Sequence, residues 1–405
     1  MLLRPVALRA ASSAWRVAPH ISRMSCSPHP AHPAMSSLHG KGARQRKIRR
    51  ICASAAVPTI DDVSTTTTLP YVDTHCHLDL IFEKLNTRSV SDKKKDVSGM
   101  PAPGSVHHAS WLTAVRDLES KFVMQSGMTK NKDGVYESTG TSTTVSPKLE
   151  ACLTVACSAK AQQRIKTLLV DATETPQGVF AAFGCHPLST GDWWDTDFDI
   201  AKNTKDLLLR NERVVAVGEC GLDYYYQPSG GVINGSGEAE KEEELDSSER
   251  DRRKLQAKTF IAQMELSNEL NVPIVVHTRE AETDTLRLMK QHLRRDAKVH
   301  VHCFTSAKWF AEELLQHFPN LCLGFTGVVT FKNAHEVREV VKVTPLNRLL
   351  LETDGPYMAP VPKRGEVAHP GHVPFIAAKI AEVKEVSVEE VLVAARDATR
   401  RTYGI

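Results

Sequence analysis

Six residues of metal-ligand type are strung along the chain: His75, His77, Glu219, His277, His302 and Asp354. Imidazole nitrogens and carboxylate oxygens are the donors that zinc, manganese and magnesium take at different strengths. A divalent ion held this way polarises an ester and lowers the pKa of a water, so the chemistry implied is hydrolysis. His75 and His77 stand at i and i+2, and on a strand such residues face the same side, where two imidazoles can share one ion. Glu219 follows an otherwise apolar run, residues 214–218. A carboxylate buried there alone would be costly, so a cation must be close by, and its two oxygens can serve two ions. His277 and His302 each close an apolar run. A lone histidine there is more often a satisfied core residue, a reading that weakens when both end strands of one sheet. Asp354 ends the last run, where a carboxylate can bind metal and also accept a proton from a metal-bound water. It is therefore the candidate general base. His300 shares the facing of His302 one pleat deeper and reads as a core or supporting residue. Asp73 reads as orienting a ligand or capping a turn.

The elements that must position these residues are strand-like runs near 71–75, 151–157, 179–185, 213–219, 272–277, 298–303, 321–325 and 348–353. Helical patterns lie at 159–170, 200–210, 252–270, 280–294, 307–317, 334–343, 374–383 and 388–402. Eight strands alternating with helices predict an α/β protein of the (β/α)8 TIM-barrel type, whose active site lies at the C-terminal ends of the strands. Ligand residues gathered from many strand ends describe such a barrel mouth. Residues 86–148 and 228–250 break the alternation and read as polar insertions, although 111–122 could supply an amphipathic first barrel helix.

Residues 1–60 hold ten of the 51 Lys and Arg residues and no Asp or Glu, so the rest of the chain has 41 basic against 48 acidic residues, a net −7. A basic, acid-free, Ser/Ala-rich start reads as an organellar transit peptide, of chloroplast type with a mitochondrial address as the alternative; a basic tail that binds nucleic acid is the competing reading. Residues 61–405 are then the barrel domain. Any electrostatic hold on nucleic acid in that domain must be local. The apolar runs are too short to span a membrane. The nine cysteines form no CxxC pair, and Cys76, Cys185, Cys220 and Cys303 each sit beside a polar site residue. On a strand they would point to the helix layer as small hydrophobes, in a reducing compartment.

Seven motifs in order carry a resemblance: Asp73-Thr74-His75-Cys76-His77-Leu78-Asp79, Gly184-Cys185-His186-Pro187, Gly218-Glu219-Cys220-Gly221-Leu222-Asp223, Val276-His277-Thr278-Arg279-Glu280, His302-Cys303-Phe304-Thr305, Gly324-Phe325-Thr326-Gly327 and Glu352-Thr353-Asp354-Gly355-Pro356-Tyr357. Over residues 71–404 the chain resembles the TatD-type metal-dependent deoxyribonucleases of the amidohydrolase-like superfamily. The resemblance implies that the six residues above bind one or two divalent ions, with Glu219 bridging where two are bound. It also implies that His186 and Arg279 line the substrate cleft, Arg279 holding a phosphate through its planar fork. His186 before Pro187 reads equally as a turn residue. The chain departs from the family pattern at Ala368 and His369, where Asn and Glu are usual, and at Tyr226 and Gln227, where an Arg is common. These departures bear on substrate preference and polarity.

The expected reaction is phosphodiester hydrolysis of DNA from an end, on single strands or 3' ends, in DNA catabolism. Asp354 would be the base, Glu219 the shared ligand and Zn, Mn or Mg the cofactor, in a monomer that needs no membrane. Amide or ester hydrolysis, for example of an aminoacyl-tRNA, and a phosphatase acting on small esters share the same site. A barrel that only binds nucleic acid would predict missing ligands or a strongly basic domain, and neither is found.

Overall fold

The computed structural model describes residues 67–91, 124–130, 136–169, 177–195, 199–225 and 247–405. The expected transit peptide, the 111–122 helix and most of the 228–250 insertion lie outside them. The strands are β1 Thr67–Cys76, β2 Met124–Lys130, β3 Tyr136–Ala156, β4 Val179–Phe183, β5 Val214–Asp223, β6 Ile274–Arg279, β7 Val299–Val301, β8 Leu321–Phe325 and β9 Leu349–Leu351. Eight of them run parallel in the order β1-β3-β4-β5-β6-β7-β8-β9, and β2 pairs antiparallel with β3. The last strand returns to the first: Asp354 N donates to His75 O at 2.9 Å and His77 N to Gly355 O at 2.8 Å. The result is a nearly closed (β/α)8 barrel.

The helices are α1 Leu78–Ser91, α2 Ala159–Leu169, α3 Thr190–Trp194, α4 Ile200–Arg210, α5 Ser247–Leu270, α6 Glu282–His292, α7 Lys308–His317, α8 His335–Val343, α9 Val373–Lys384 and α10 Val388–Tyr403. Two differences from the sequence expectation fall in one region. A helix follows β1 immediately at Leu78–Ser91, and β3 begins at Tyr136 rather than near 151, so a two-stranded ribbon occupies part of the segment read as an insertion. The Ser/Thr-rich run 138–146 lacks the apolar alternation of a core strand, yet its register places it beside β2, and its last residues beside β1.

Period-two alternation sorts the barrel strands cleanly. Ile274, Val276, Val299, Val301, Leu349 and Leu351 pack outward against the helices. Val275, Cys322, Leu350, Ala182 and Ala216 face the barrel axis. The same parity sets His277, His300, His302, Glu352 and Asp354 along the axis, in layers above that apolar floor. Seven cysteines are described and all are free. Cys76, Cys185 and Cys220 pack in the strand–helix core as expected. Cys303 does not: it lies beyond the end of β7 with φ 44, where strand alternation has lapsed, and lines the cavity.

Candidate metal centre

The structure brings all six expected ligand residues together at the C-terminal mouth. Glu219, 2% exposed on β5, stands at the middle, and its two oxygens divide the imidazoles around it. Oε2 faces His75 Nε2 at 3.5 Å and His77 Nε2 at 3.8 Å. Oε1 faces His302 Nε2 at 2.8 Å, His277 Nδ1 at 3.0 Å and His186 Nε2 at 3.5 Å. Asp354 Oδ1 completes the first side, 3.6 Å from His75 Nε2 and 3.4 Å from His77 Nε2. His186, expected at the substrate cleft, stands among the ligand-type groups, although it also borders the cavity.

Local backbone features aim these side chains. Gly221, at φ 146, lets β5 and β6 approach so closely that a Cβ there would lie 1.9 Å from the His277 carbonyl oxygen. Glu280, Cys303 and Asp354, just past the inward ends of three strands, adopt φ 54, 44 and 50. Left-handed conformations in non-glycine residues cost about 1–3 kcal/mol each and persist where surrounding contacts impose them. Asp73 supplies such contacts: it accepts hydrogen bonds from His75 N at 3.2 Å, Thr353 N at 3.0 Å and Thr353 Oγ1 at 2.6 Å. It thereby pins the approach to Asp354 onto β1.

The electrostatics of the metal-free centre are those of a proton-sharing cluster. Burial alone would lower every imidazole. It prevails at His75, held at about 3, and at His186, about 4. It is outweighed at His77 by the hydrogen bond and charge of Asp354, and at His277 by the hydrogen bonds of Asp223 and Glu219, so both rise to about 9. Burial would raise the acids, yet the surrounding imidazoles hold Glu219 well below its usual value and Asp354 below it too. Asp73 and Glu352 lack such neighbours in sufficient number, and burial lifts them to about 7 and about 8.

The donor set fits divalent cations. Both ring nitrogens of His75 and Nδ1 of His302 are buried with no hydrogen-bond partner among the described residues, a costly state for polar atoms unless a ligand meets them. His75, His77 and Asp354 can converge on one ion, and Glu219 with His186 and His277, or with His75 and His302, on another. Nitrogen and oxygen donors without thiolate suit zinc, manganese or magnesium.

A cavity of about 640 Å³ opens over this cluster. Arg279, with its guanidinium 3.5 Å over the Tyr225 ring, lines this cavity together with Lys160 and Arg164. Ala368 and His369, where the family pattern is broken, serve the fold: Ala368 is buried with its carbonyl against Gly355, and His369 Nδ1 accepts Gly371 N at 3.2 Å.

Three site residues escaped the sequence reading. Asp223 Oδ2 lies 3.3 Å from His277 Nε2, and its spacing of four from Glu219 on one strand was the available signal. Cys157 Sγ stands 3.7 Å from Glu219 Oε2. Glu352 accepts a hydrogen bond from Cys303 N beside His302, a role its place two residues before Asp354 suggests only once the closed barrel is seen.

Comparison with known proteins agrees with this geometry. The family model described as TatD related DNase matches residues 72–404. The metal-dependent hydrolase YcfH of Escherichia coli K12 is 35% identical over 254 residues, 63% of this chain and 83% of that protein. The human 3'-5' RNA nuclease TATDN2 is 29% identical over 340 residues, 83% of this chain, which spans only 35% of that longer protein. Among solved structures, the TatD homologue YjjV of E. coli K12 superposes with a TM-score of 0.55 at 21% identity, covering 83% of this chain and 98% of that one. A TatD family hydrolase from Entamoeba histolytica gives 0.56 at 16% identity, covering 84% and 99%.

Proposed function

The chain belongs to the TatD family of metal-dependent hydrolases, and on that footing we propose that it hydrolyses phosphodiester bonds of nucleic acid, taking DNA strands from an end. The observation that carries this reading is the division of Glu219, whose two oxygens each face a separate set of imidazoles beneath a cavity with guanidinium and ammonium groups on its walls. His75, His77 and Asp354 would hold one divalent ion, and His277, His302 and His186 the other, with Glu219 between. When bound, such ions supply Lewis acidity toward a phosphoryl oxygen and a water of lowered pKa.

The chain's own residues do the rest. Asp354, held ionised by its imidazole neighbours and open to the cavity, accepts the proton of the attacking water. Arg279, its guanidinium 3.5 Å over the Tyr225 ring, presents its fork to a non-bridging phosphate oxygen. The water oxygen bonds to phosphorus, the P–O bond to the leaving nucleotide breaks, and the leaving oxygen takes up the proton that Asp354 accepted, which restores the carboxylate. RNA is the second reading, favoured by the human relative's name as a 3'-5' RNA nuclease.

The test uses end-labelled single-stranded DNA and RNA with added manganese or magnesium, beside Asp354→Asn. Ladders that need the cation and vanish in the variant support the proposal, and the better-cut strand identifies the substrate. No cleavage of either strand by a chain that still binds two equivalents of metal would move the weight to amide or ester substrates. The basic, acid-free start of the chain supports an organellar address, chloroplast before mitochondrion. A reporter carrying residues 1–60 that stays diffuse in the cytosol would overturn that address.

A further inference from the structure

Below the centre, three polar side chains stand in a column in the buried barrel interior: Tyr403, His300 and Glu352. Tyr403, from the end of α10, packs with Leu153, Val155, Ala182, Ala216, Val275 and Leu350, so its ring fills the barrel floor. Its hydroxyl lies 2.6 Å from His300 Nδ1. His300 Nε2 in turn stands 2.9 Å from Glu352 Oε2, both residues fully buried. That contact lacks the alignment of a good hydrogen bond, yet neither atom has another partner among the described residues. The two side chains come from β7 and from just beyond β9 and meet across β8 only because residue 324 is glycine. A Cβ there would lie 2.3 Å from His300 Nε2 and 2.6 Å from Glu352 Oε2. The other oxygen of Glu352 accepts Cys303 N, the amide that follows His302 and belongs to a residue at φ 44.

We propose that Tyr403 and His300 are positioning residues for the metal centre, fixing Glu352 so that it holds the Cys303 turn and with it the aim of His302. Burying a phenol, an imidazole and a carboxyl inside an apolar barrel is unfavourable unless they satisfy one another. None is exposed to the cavity, so they act through what they hold. One hydrogen pattern sets a donor against an acceptor at each step: Tyr403 O–H donates to Nδ1, Nε2–H stands against Glu352 Oε2 short of full hydrogen-bond alignment, and the other oxygen of Glu352 receives the Cys303 amide. The two-sided metal centre proposed above is the premise of this inference.

The test is cobalt(II) titration of the full chain, read by visible absorption and by thermal melting. In Tyr403→Phe the ring that fills the floor is kept and only the hydroxyl is lost. We expect a folded protein in which one cobalt equivalent binds about tenfold more weakly with an altered absorption band, the range typical of residues that hold a ligand. The affected equivalent is the one that Asp223→Asn weakens; the other is unchanged. If Tyr403→Phe fails to fold, Tyr403→Phe/His300→Val removes both buried partners together and takes its place in the titration. Affinities and spectra equal to those of the unaltered chain, in whichever variant folds, overturn the proposal and leave the centre standing. Absence of cobalt binding by the unaltered chain overturns both.

Discussion

The two sides of the centre share Glu219 but are built differently. On the side of β1 and β9, the ligand-type residues come from two strands that close the barrel, and the backbone itself ties them: Asp354 N to His75 O, His77 N to Gly355 O, and Asp73 bridging His75 and Thr353. On the side of β4, β6 and β7, three imidazoles come from three strands; two are held through carboxylate side chains, His277 by Asp223 and His302 by Glu352 through Cys303, and His186 accepts a bond from the backbone Leu188 N at 3.1 Å. The first side has a ligand-type carboxylate of its own in Asp354; on the second side that part falls to its share of Glu219, while Asp223 stands behind His277. Barrel closure therefore preforms one side, whereas the other depends on residues outside the ligand set. Substitutions behind the ligands should weaken the second side selectively.

The largest effect should follow from removing what the sides share. Glu219→Ala takes the central charge from both, and we expect kcat/KM to fall by at least ~10³-fold, comparable to or beyond the loss of a principal transition-state contact, with bound metal dropping below one equivalent. Two equivalents retained in this variant, measured by elemental analysis after gel filtration, would break the picture of a shared carboxylate. Next comes Asp354→Asn, which keeps the shape of the first side and removes its base. A loss of about 10²–10⁴-fold in kcat is expected, the range for a general base, with metal on the second side intact. An equal fall in affinity for both equivalents would show that the sides are not separable.

How much of this was legible in the chain follows the same division. The eight barrel strands, α2 and the helices from α4 onward are legible because their apolar periodicity is local, and His75, His77, Glu219, His277, His302 and Asp354 stand out because each polar residue ends an apolar run. The supports of the second side were hidden. Asp223 reaches His277 only through the pairing of β5 with β6, whose register shifts between Val217 and Cys220. Glu352 reads as one more residue of the last strand until β7 and β9 meet across Gly324. Tyr403 reads as the end of an amphipathic helix, and nothing local says that its ring enters the barrel. The helix at Leu78–Ser91 escapes a reading of the chain because it is only weakly amphipathic and runs into a polar segment; the helix expected over 111–122 lies outside the described residues.

A smaller effect tests the support directly. Asp223→Asn leaves every ligand in place but removes the carboxylate that orients His277 through Nε2. Metal affinity on the second side should drop about 10–100-fold, as for other ligand-orienting carboxylates, and the first side should hold its ion as before. Asp73→Asn is the matching change on the first side. It should cost less affinity, because the backbone bonds between β1 and the end of β9 remain. A larger loss from Asp73→Asn than from Asp223→Asn, in parallel calorimetric titrations, would reverse the comparison.

The smallest effect is seen when the cations are stripped. His77 on one side and His277 on the other each rise to about 9 in the folded, metal-free chain, against about 6.5 when unfolded. A group whose folded pKa is raised stabilises fully below its unfolded value and loses that contribution as pH climbs through the folded one. The metal-free chain should therefore lose stability between pH 6.5 and 9. Asp73 and Glu352, lifted by burial to about 7 and about 8, bind protons in the folded state that the unfolded state has released, and so add to the fall in the same direction. Bound cations require both imidazoles unprotonated, so with metal the histidine part of the slope should disappear and affinity should rise over the same window. Melting curves from pH 6 to 9.5, with chelator and with manganese, would read the difference as roughly a few degrees in Tm. Asp354→Asn should reduce the His77 share and Asp223→Asn the His277 share, Glu219 supporting what remains of each. If either variant abolished the whole cation-dependent slope, the two imidazoles would be titrating as one group, and the division of the centre at Glu219 would have no energetic counterpart.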